Sequence, residues 1–210
     1  MKNIKIMFSP KIFKWAFWVL IGFFIILVII RFFNLSDVEK TNNQVLKIHS
    51  TKLNMSDVLG DNLPPDPGVA ADTTVEGVDF NKNGIRDDVE IAIFKEYPNS
   101  AKTRAVLLQY ALALQTMTNQ SFINNEIATA VIQEKSRSYS CIGEIVKRDD
   151  SNKVIMDNYF EETDLLRFFV ENKQLNTTDR IKSDSDFYKE VRSYADLGKS
   201  CDIDISELSN

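Results

Sequence analysis

The longest apolar stretch of the chain limits its topology more than any other feature. Residues 15–30 have the sequence WAFWVLIGFFIILVII, without one charged or strongly polar side chain. The apolar residues Ile12, Phe13, Phe32 and Phe33 extend the segment to 12–33, with Lys14 and Arg31 near its two ends. As a helix, this segment would be about 33 Å long at about 1.5 Å per residue, which is enough to cross the hydrocarbon core. Trp15 and Trp18 lie near one end, where interfacial aromatic residues are common. We therefore expect one N-terminal membrane-spanning helix.

A cleaved signal peptide is the alternative interpretation of this stretch. Such a peptide has a shorter apolar core, followed by an A-x-A-like site of small residues. The sequence RFFNLSD follows the run and contains no such site, which favours an uncleaved signal anchor. Four lysines precede the span, whereas Arg31 and then Asp37 and Glu39 follow it. The positive-inside rule then predicts a cytoplasmic N-terminus. For a bacterial chain, this means a single-pass inner-membrane protein with a periplasmic C-terminal domain.

The charge is unevenly distributed along the chain. Residues 1–33 contain five basic residues and no acid, so they carry +5, and the net charge of −5 leaves −10 for the rest. An acidic domain is a poor fit for nucleic acid or anionic lipid surfaces, which require clustered Lys and Arg. It suits a cation or a basic protein partner.

The stretch DFNKNGIRDDVE, residues 79–90, matches the calcium-loop pattern D-x-[DN]-x-[DN]-G-x5-E at every specified position. Gly84 falls at the sixth position, where the chain must turn sharply. Glu90 falls at the twelfth, where a bidentate carboxylate is expected, and position 7 contributes a backbone carbonyl. The predicted calcium ligands are Asp79, Asn81, Asn83, Ile85, Asp87 and Glu90.

A turn followed by a helix is the simpler explanation of the same residues. An Asn83-Gly84 turn and acids in the first turn of a helix would account for Gly84, Asp87 and Glu90. It leaves the alternation of Asp79, Asn81 and Asn83 unexplained. Formal ligand charge is only −3, and Lys82 and Arg86 are interleaved, so we expect weak binding, about 10⁻⁴ to 10⁻³ M.

The loop resembles the calcium loops of dockerin modules and of thrombospondin type-3-like repeats. Those loops occur outside the cytosol and often lack a regular entering helix, as here, where TTVEGVD precedes the loop. The run from LPPDPG to residue 90 also resembles a group of uncharacterised proteobacterial membrane-anchored proteins, which implies no activity. Because the chain has no second loop, cohesin-type docking is not implied.

Helical periodicity dominates the rest of the chain, and no stretch alternates long enough to predict a strand. We expect an all-α fold: a membrane helix in residues 1–33, a tether in 34–62, a proline-rich arm in 63–78, and a calcium-loop domain of about five helices in 79–210. The alternative for 34–62 is a helix continuing from the membrane. His49 is expected to be a solvated residue of the tether. The five helices are predicted to begin near Asp87, Ser100, Ser121, Asp150 and Ser183.

The second of these helices, with AVLLQYALALQTM at its middle, is apolar nearly all round, so we expect it at the centre of the fold. Cys141 and Cys201 lie on the apolar stripes of other helices and are expected to face one interior. In an oxidising compartment they would form a structural disulfide, and in a reducing one they would be two buried thiols. The predicted compartment favours the disulfide.

No catalytic motif is present: GxSxG, HExxH, a P-loop and GxGxxG are all absent. The leading hypothesis is a non-enzymatic, membrane-tethered protein with one structural calcium loop and a protein partner. An immunity-type or accessory inhibitor of an envelope-acting protein is the alternative. The third hypothesis is a hydrolase using paired carboxylates, for which acids such as Glu161, Glu162 and Asp164 are available.

Overall fold

The computed structural model describes residues 10–120, 122–146 and 153–210. Every regular element in these residues is helical, so the all-α prediction is confirmed for this part of the chain. The chain divides into two compact units, residues 1–44 and 45–210. The second unit, which we call the helical body, contains the loop 79–90.

The first helix, α1, extends from Pro10 to Ser50. Its side chains at 14–33 are nearly all exposed, and among the described residues α1 is the one helix long and apolar enough to cross a membrane. The helix continues well past residue 33, where we had expected an irregular tether. The physical reason is that no Gly or Pro occurs between Gly22 and Gly60, so nothing stops the helix at the end of the apolar run.

The described residues of the helical body form six further helices and two short 3₁₀ turns, at Gly68–Asp72 and Ile205–Glu207. The helices are α2 (Met55–Leu59), α3 (Asp87–Glu96), α4 (Ala101–Thr118), α5 (Asn125–Ile145), α6 (Lys153–Gln174) and α7 (Thr178–Tyr188).

Helix α4 occupies the centre of the body, as its all-round apolar sequence predicts. Residues from Ala101 to Met117 are buried on every side, and the helix contacts α2, α3, α5, α6 and α7. The Ser100 side chain accepts a hydrogen bond from the backbone N–H of Thr103, so the predicted N-cap is confirmed. The other elements are arranged around this helix.

Two expectations about the body are corrected. The expected linker 34–62 is part of the body from Val45 onward, because Ile48, Leu53 and Val58 are buried in its core. The last helix does not begin at Ser183 but is capped by Thr177, whose side chain accepts from the N–H of Arg180. The residues after Lys189 are not helical, although Phe187 is buried as expected. The predicted caps Ser121 and Asp150 lie outside the described residues.

The C-terminal segment is held against α4 and α5 by a group of contacts that we call the clasp, residues 200–202 with their partners. The sulfur atoms of Cys141 and Cys201 are at disulfide distance, 1.97 Å. The Gln109 amide donates to the carbonyl of Ser200 (2.8 Å) and accepts from the N–H of Asp202 (2.8 Å). The clasp fixes a segment that forms no helix of its own.

A buried ion network lies beside the clasp, around Glu134 of α5. This carboxylate contacts His49 Nδ1 (2.9 Å), Lys52 Nζ (2.9 Å) and Arg137 Nη2 (2.6 Å). Arg137 also pairs with Asp202 (2.7 Å), which links the network to the clasp. His49 is therefore a partner of a buried carboxylate rather than the solvated tether residue that we expected.

The proline-rich arm packs on the body through one buried arginine, Arg180. Its guanidinium donates to the carbonyls of Ala71 (2.5 Å), Thr74 (3.0 Å) and Val75 (3.0 Å) and pairs with Asp72 (2.6 Å). Three backbone carbonyls on one cation fix the course of the arm just before the loop 79–90. The arm is thus a docked segment.

Candidate metal centre

The loop at residues 79–90 connects the arm to α3 and turns sharply at Gly84. Gly84 has φ +86°, and a Cβ there would lie 2.7 Å from Leu112 Cδ1 of α4. Glycine is therefore needed both for the left-handed backbone and for the close approach to the central helix. The next side chain, that of Ile85, is fully buried, so the middle of the loop is anchored in the core.

Side-chain oxygens at the first three predicted ligand positions organise the turn. The Asp79 carboxylate accepts from the N–H groups of Asn83 (3.2 Å) and Gly84 (2.9 Å). Asn81 Oδ1 also accepts from the N–H of Asn83 (3.2 Å), and Asn83 Oδ1 accepts from the N–H of Ile85 (2.9 Å). These bonds wrap the backbone around the oxygens of the three side chains. Asp79, Asn81 and Asn83 are therefore brought together as the pattern predicts.

Asp87 and Glu90, on the first turn of α3, close the loop from the helix side. Asp87 accepts from the backbone N–H of Phe80 (3.0 Å), and its own N–H donates to the carbonyl of Val78 (2.9 Å). Glu90 is completely buried, and its Oε2 accepts from the amide of Asn81 (3.1 Å). Its other oxygen, Oε1, is buried and has no hydrogen-bond partner among the described residues.

The buried oxygen of Glu90 is unusual, because a carboxylate removed from water normally has a cation or several donors beside it. Burial raises the pKa of Glu90 to about 7. The hydrogen bonds from Asn81 and Asn83 lower this pKa, but they do not offset burial. The negative charges of Asp57 and Asp87 raise it further. Burial also raises the pKa of Asp87, with Asp79 and Asp88 contributing. The loop thus holds more negative charge than its own groups neutralise.

The interleaved basic residues do not supply that missing positive charge. Lys82 is exposed. Arg86 is fully buried but directed to α6, where its guanidinium donates to the carbonyls of Lys173 (2.7 Å) and Gln174 (3.1 Å) and pairs with Asp88 (2.6 Å). Arg86 therefore caps the C-terminus of α6, a favourable place for a cation.

Two contacts to the loop come from a segment that the sequence pattern does not include. Asn83 Nδ2 donates to Oδ1 of Asp57 on α2 (3.4 Å), and Asn81 Nδ2 donates to the backbone carbonyl of Asn62 (3.0 Å). Asp57 is buried. No local spacing links residues 57 and 62 to the loop, so sequence reasoning had no signal with which to find them.

The predicted ligands of this loop offer three kinds of oxygen atom, from carboxylates, side-chain amides and a backbone carbonyl. In the described part of the chain, no group of three or more His, Cys, Asp or Glu side chains is arranged to hold a metal ion. Carboxylates alone therefore do not make the site. A cation here would also need the amide oxygens of Asn81 and Asn83, and the carbonyl of Ile85 that the pattern predicts.

The acids suggested for carboxylate catalysis are placed differently. Glu161 and Glu162 are exposed. Asp164 and Glu171 line a groove of about 420 Å³, but both pair with Arg167 (3.0 and 2.9 Å). Glu171 also accepts from the hydroxyl of Tyr110 (2.5 Å). Two acids neutralised by one arginine lack the contrasting environments that an acid–base pair requires.

No family model, curated protein or solved structure matches this chain.

Proposed function

We propose that this chain is a membrane-tethered periplasmic protein whose helical body holds one structural calcium ion in the loop 79–90. The observation that carries the proposal is the fully buried Oε1 of Glu90, which lacks a partner and belongs to a carboxylate lying against Asn81 and Asn83. A cation bound there would neutralise Glu90 and Asp87 and would remove the cost of their burial.

The donor atoms determine which cation fits. All of the predicted ligands offer oxygen, and none offers nitrogen or sulfur, so a hard cation is favoured over zinc or copper. Calcium accepts about six to eight oxygens, carbonyl and amide oxygens included, in flexible geometry, whereas magnesium requires a nearly ideal octahedron. A twelve-residue loop with two amides and a predicted backbone carbonyl suits calcium better.

The place of the loop in the fold supports a structural role. It joins the docked arm to α3, and its middle is anchored beside α4 through Ile85 and Gly84. An ion bound to residues on both sides of Gly84 would fix the angle at which the chain enters α3. Such a site stabilises the folded state by mass action once free calcium exceeds the dissociation constant.

The test uses the full-length protein in detergent micelles, since residues before the loop pack in the body. We expect millimolar calcium to raise the melting temperature relative to chelator, and Asp79→Ala to abolish the rise. Glu96→Ala, which changes an exposed acid at the end of α3, is the control and should retain the calcium-dependent rise in melting temperature. Equal melting temperatures for the wild type with calcium and with chelator would disprove the calcium function.

The proposed orientation is a cytoplasmic N-terminus with the helical body in the periplasm. It is supported by the lysines before the span, the acidic charge after it, and the apolar exposed surface of α1. Protease added to cells with a permeabilised outer membrane should digest the body and leave the N-terminal stub intact. Protection of the body under these conditions would contradict this orientation.

We also propose a protein partner with a basic and apolar contact surface. Between residues 55 and 90 the exposed acids are Asp61, Asp66, Asp72 and Glu76, whereas Lys82 is the one exposed basic side chain. Val69 and Phe80 lie in this region and are 94% and 71% exposed. Acidic surface around exposed apolar side chains is complementary to such a partner. A photo-crosslinking residue at Phe80 should trap a specific protein in intact cells, whereas one at exposed Glu144 on α5 should not.

A further inference from the structure

We infer that α2 and the turn after it form an outer shell of the calcium site, in which Asp57 is a positioning residue for Asn83 and the carbonyl of Asn62 positions Asn81. This inference rests on the proposed calcium function and extends it to residues outside the loop pattern. Outer-shell groups orient metal ligands and are often needed for full affinity.

The two asparagines need such orientation because an amide has two different ends. Only the oxygen can bind a cation, and rotation of the amide by 180° would present its NH₂ group instead. Asn83 Nδ2 donates to Asp57 Oδ1 (3.4 Å), while Asn81 Nδ2 donates to the Asn62 carbonyl (3.0 Å) and to Glu90 Oε2 (3.1 Å). In the reversed orientation, each amide oxygen would face another oxygen and repel it. Asp57 and Asn62 outside the loop, together with Glu90 inside it, therefore hold each amide with its oxygen toward the backbone N–H groups of the loop.

Asp57 is itself held firmly enough to serve this role. Its Oδ2 accepts from the backbone N–H of Asn54 (3.1 Å), as part of the capping box of α2. The helix is fixed to α4 because Val58 is fully buried and its carbonyl accepts from Arg104 Nε (3.0 Å). At the other end, Gly60 has φ +80°, and a Cβ there would lie 2.8 Å from a ring carbon of Phe94 on α3. Asp57 is thus preorganised by packing on two other helices.

The coupling between calcium and α2 must be reciprocal. If docked α2 increases calcium affinity by orienting the amides, bound calcium stabilises docked α2 by the same factor. The carboxylate of Asp57 also adds negative charge next to the site without being one of the predicted ligands. The two contributions, orientation and charge, are separable by substitution.

Calorimetric titration of the full-length protein in micelles with calcium separates them. Asp57→Ala removes both the acceptor and the charge, and we expect about 10- to 100-fold weaker binding. Asp57→Asn keeps one acceptor oxygen, which can serve Asn83 only if the bond from the N–H of Asn54 is given up, so we expect a smaller loss of affinity than in Asp57→Ala. Asp61→Ala, an exposed acid just after α2, is the control and should bind normally. Unchanged affinity in Asp57→Ala, or equal losses in Asp57→Ala and Asp57→Asn, would overturn the positioning role.

Hydrogen exchange of the wild type tests the reverse direction and does not depend on a variant that folds. The amides of Asp57, Val58, Gly60 and Asp61 form the hydrogen bonds of α2 and its cap. They should exchange more slowly with calcium than with chelator, while the amide of Ala128 in the first turn of α5 serves as an internal reference. Calcium binding without added protection in α2 would overturn this inference alone, whereas no calcium binding by the wild type would overturn the proposed function as well.

Discussion

Two buried glutamates of the helical body, Glu90 and Glu134, have opposite surroundings. Glu134 is surrounded by His49, Lys52 and Arg137, and it pairs with all three. Although burial alone would raise the pKa of Glu134, the hydrogen bonds from His49, Lys52 and Arg137 outweigh it, and the pKa is lowered. Among the described residues, no basic side chain pairs with Glu90, and burial raises its pKa to about 7.

This difference separates a structural carboxylate from a candidate ligand. A buried charge must be compensated, and around Glu134 the chain supplies the compensation from its own side chains. Around Glu90 the nearest neighbours are amides and further acids, while Arg86 is directed away to α6. The positive charge missing at Glu90 is what a bound cation would provide, and each prediction below tests this contrast.

The largest effect is expected from Glu134→Ala. The substitution leaves the buried guanidinium of Arg137 with only part of its charge compensation and removes the partner of the more exposed Lys52. Breaking a buried ion pair in this way typically costs about 3 to 5 kcal/mol. Urea denaturation should show this loss of stability equally with calcium and with chelator. Glu144→Ala, an exposed acid on the same helix, is the control and should change stability by less than about 0.5 kcal/mol. A loss that disappears in calcium would contradict a purely structural role.

The clasp next to Glu134 is expected to depend on its covalent bond. The disulfide between Cys141 and Cys201 closes a loop with a sequence separation of 60, which is worth about 4 kcal/mol in the chain-entropy model. The double variant Cys141→Ser, Cys201→Ser should lose about this much stability in urea denaturation. Calcium affinity should stay within a few-fold of the wild type, because the loop 79–90 has its own contacts to α2 and α4. A large loss of calcium affinity would show that the two regions are coupled.

The pH dependence should have opposite signs at the two glutamates. The folded-state pKa of Glu90, about 7, lies above its ordinary value of 4.5, so folding takes up a proton and calcium-free stability falls as pH rises between these values. Over this pH range, the free energy of unfolding without calcium should fall by an amount of the order of 3 kcal/mol. Glu134 has a lowered pKa, so its contribution is constant in this window and is lost only as the pH falls below about 4.5.

Denaturation in chelator at pH 5 and at pH 7 measures this difference. Glu90→Gln should remove most of the fall and be more stable than the wild type at pH 7, because no buried charge remains. Glu96→Gln, on the exposed face of the same helix, should retain the wild-type pH dependence. If Glu90→Gln were less stable than the wild type at pH 7 without calcium, the carboxylate would have a compensating partner, and the contrast with Glu134 would be wrong.

Local spacing predicted much of this molecule. The apolar run predicted α1, and the apolar sequence around Leu107 predicted a central α4. Both cysteines face one interior as predicted, although Cys201 lies on a non-helical segment and not on a helical stripe. The loop pattern correctly grouped Asp79, Asn81 and Asn83, because their hydrogen bonds join residues at most five positions apart. Short-range contacts of this kind follow from the order of residues along the backbone.

The failures concern weakly patterned segments and distant partners. Residues 45–62 have few apolar positions, so they were expected to be linker, yet Leu53 and Val58 are buried in the body. The last helix was placed too late, because Thr177 and Ser183 are both acceptable N-caps and local sequence does not choose between them. His49 lacks any nearby acid in sequence, and its partner Glu134 is 85 residues away.

The sequence by itself determined a long apolar N-terminal helix, a body built of helices, a pair of cysteines facing one interior, and a loop whose oxygen-bearing side chains have the spacing of a calcium-loop pattern. Only the tertiary structure decided how each buried charge is compensated. Among the described residues, it placed Lys52, Arg137 and the imidazole of His49 around Glu134 and no basic side chain at Glu90, and it brought Asp57 and Asn62 against the amides of Asn83 and Asn81. The physical reason is that charge compensation acts through space, between groups that packing brings together from distant parts of the chain.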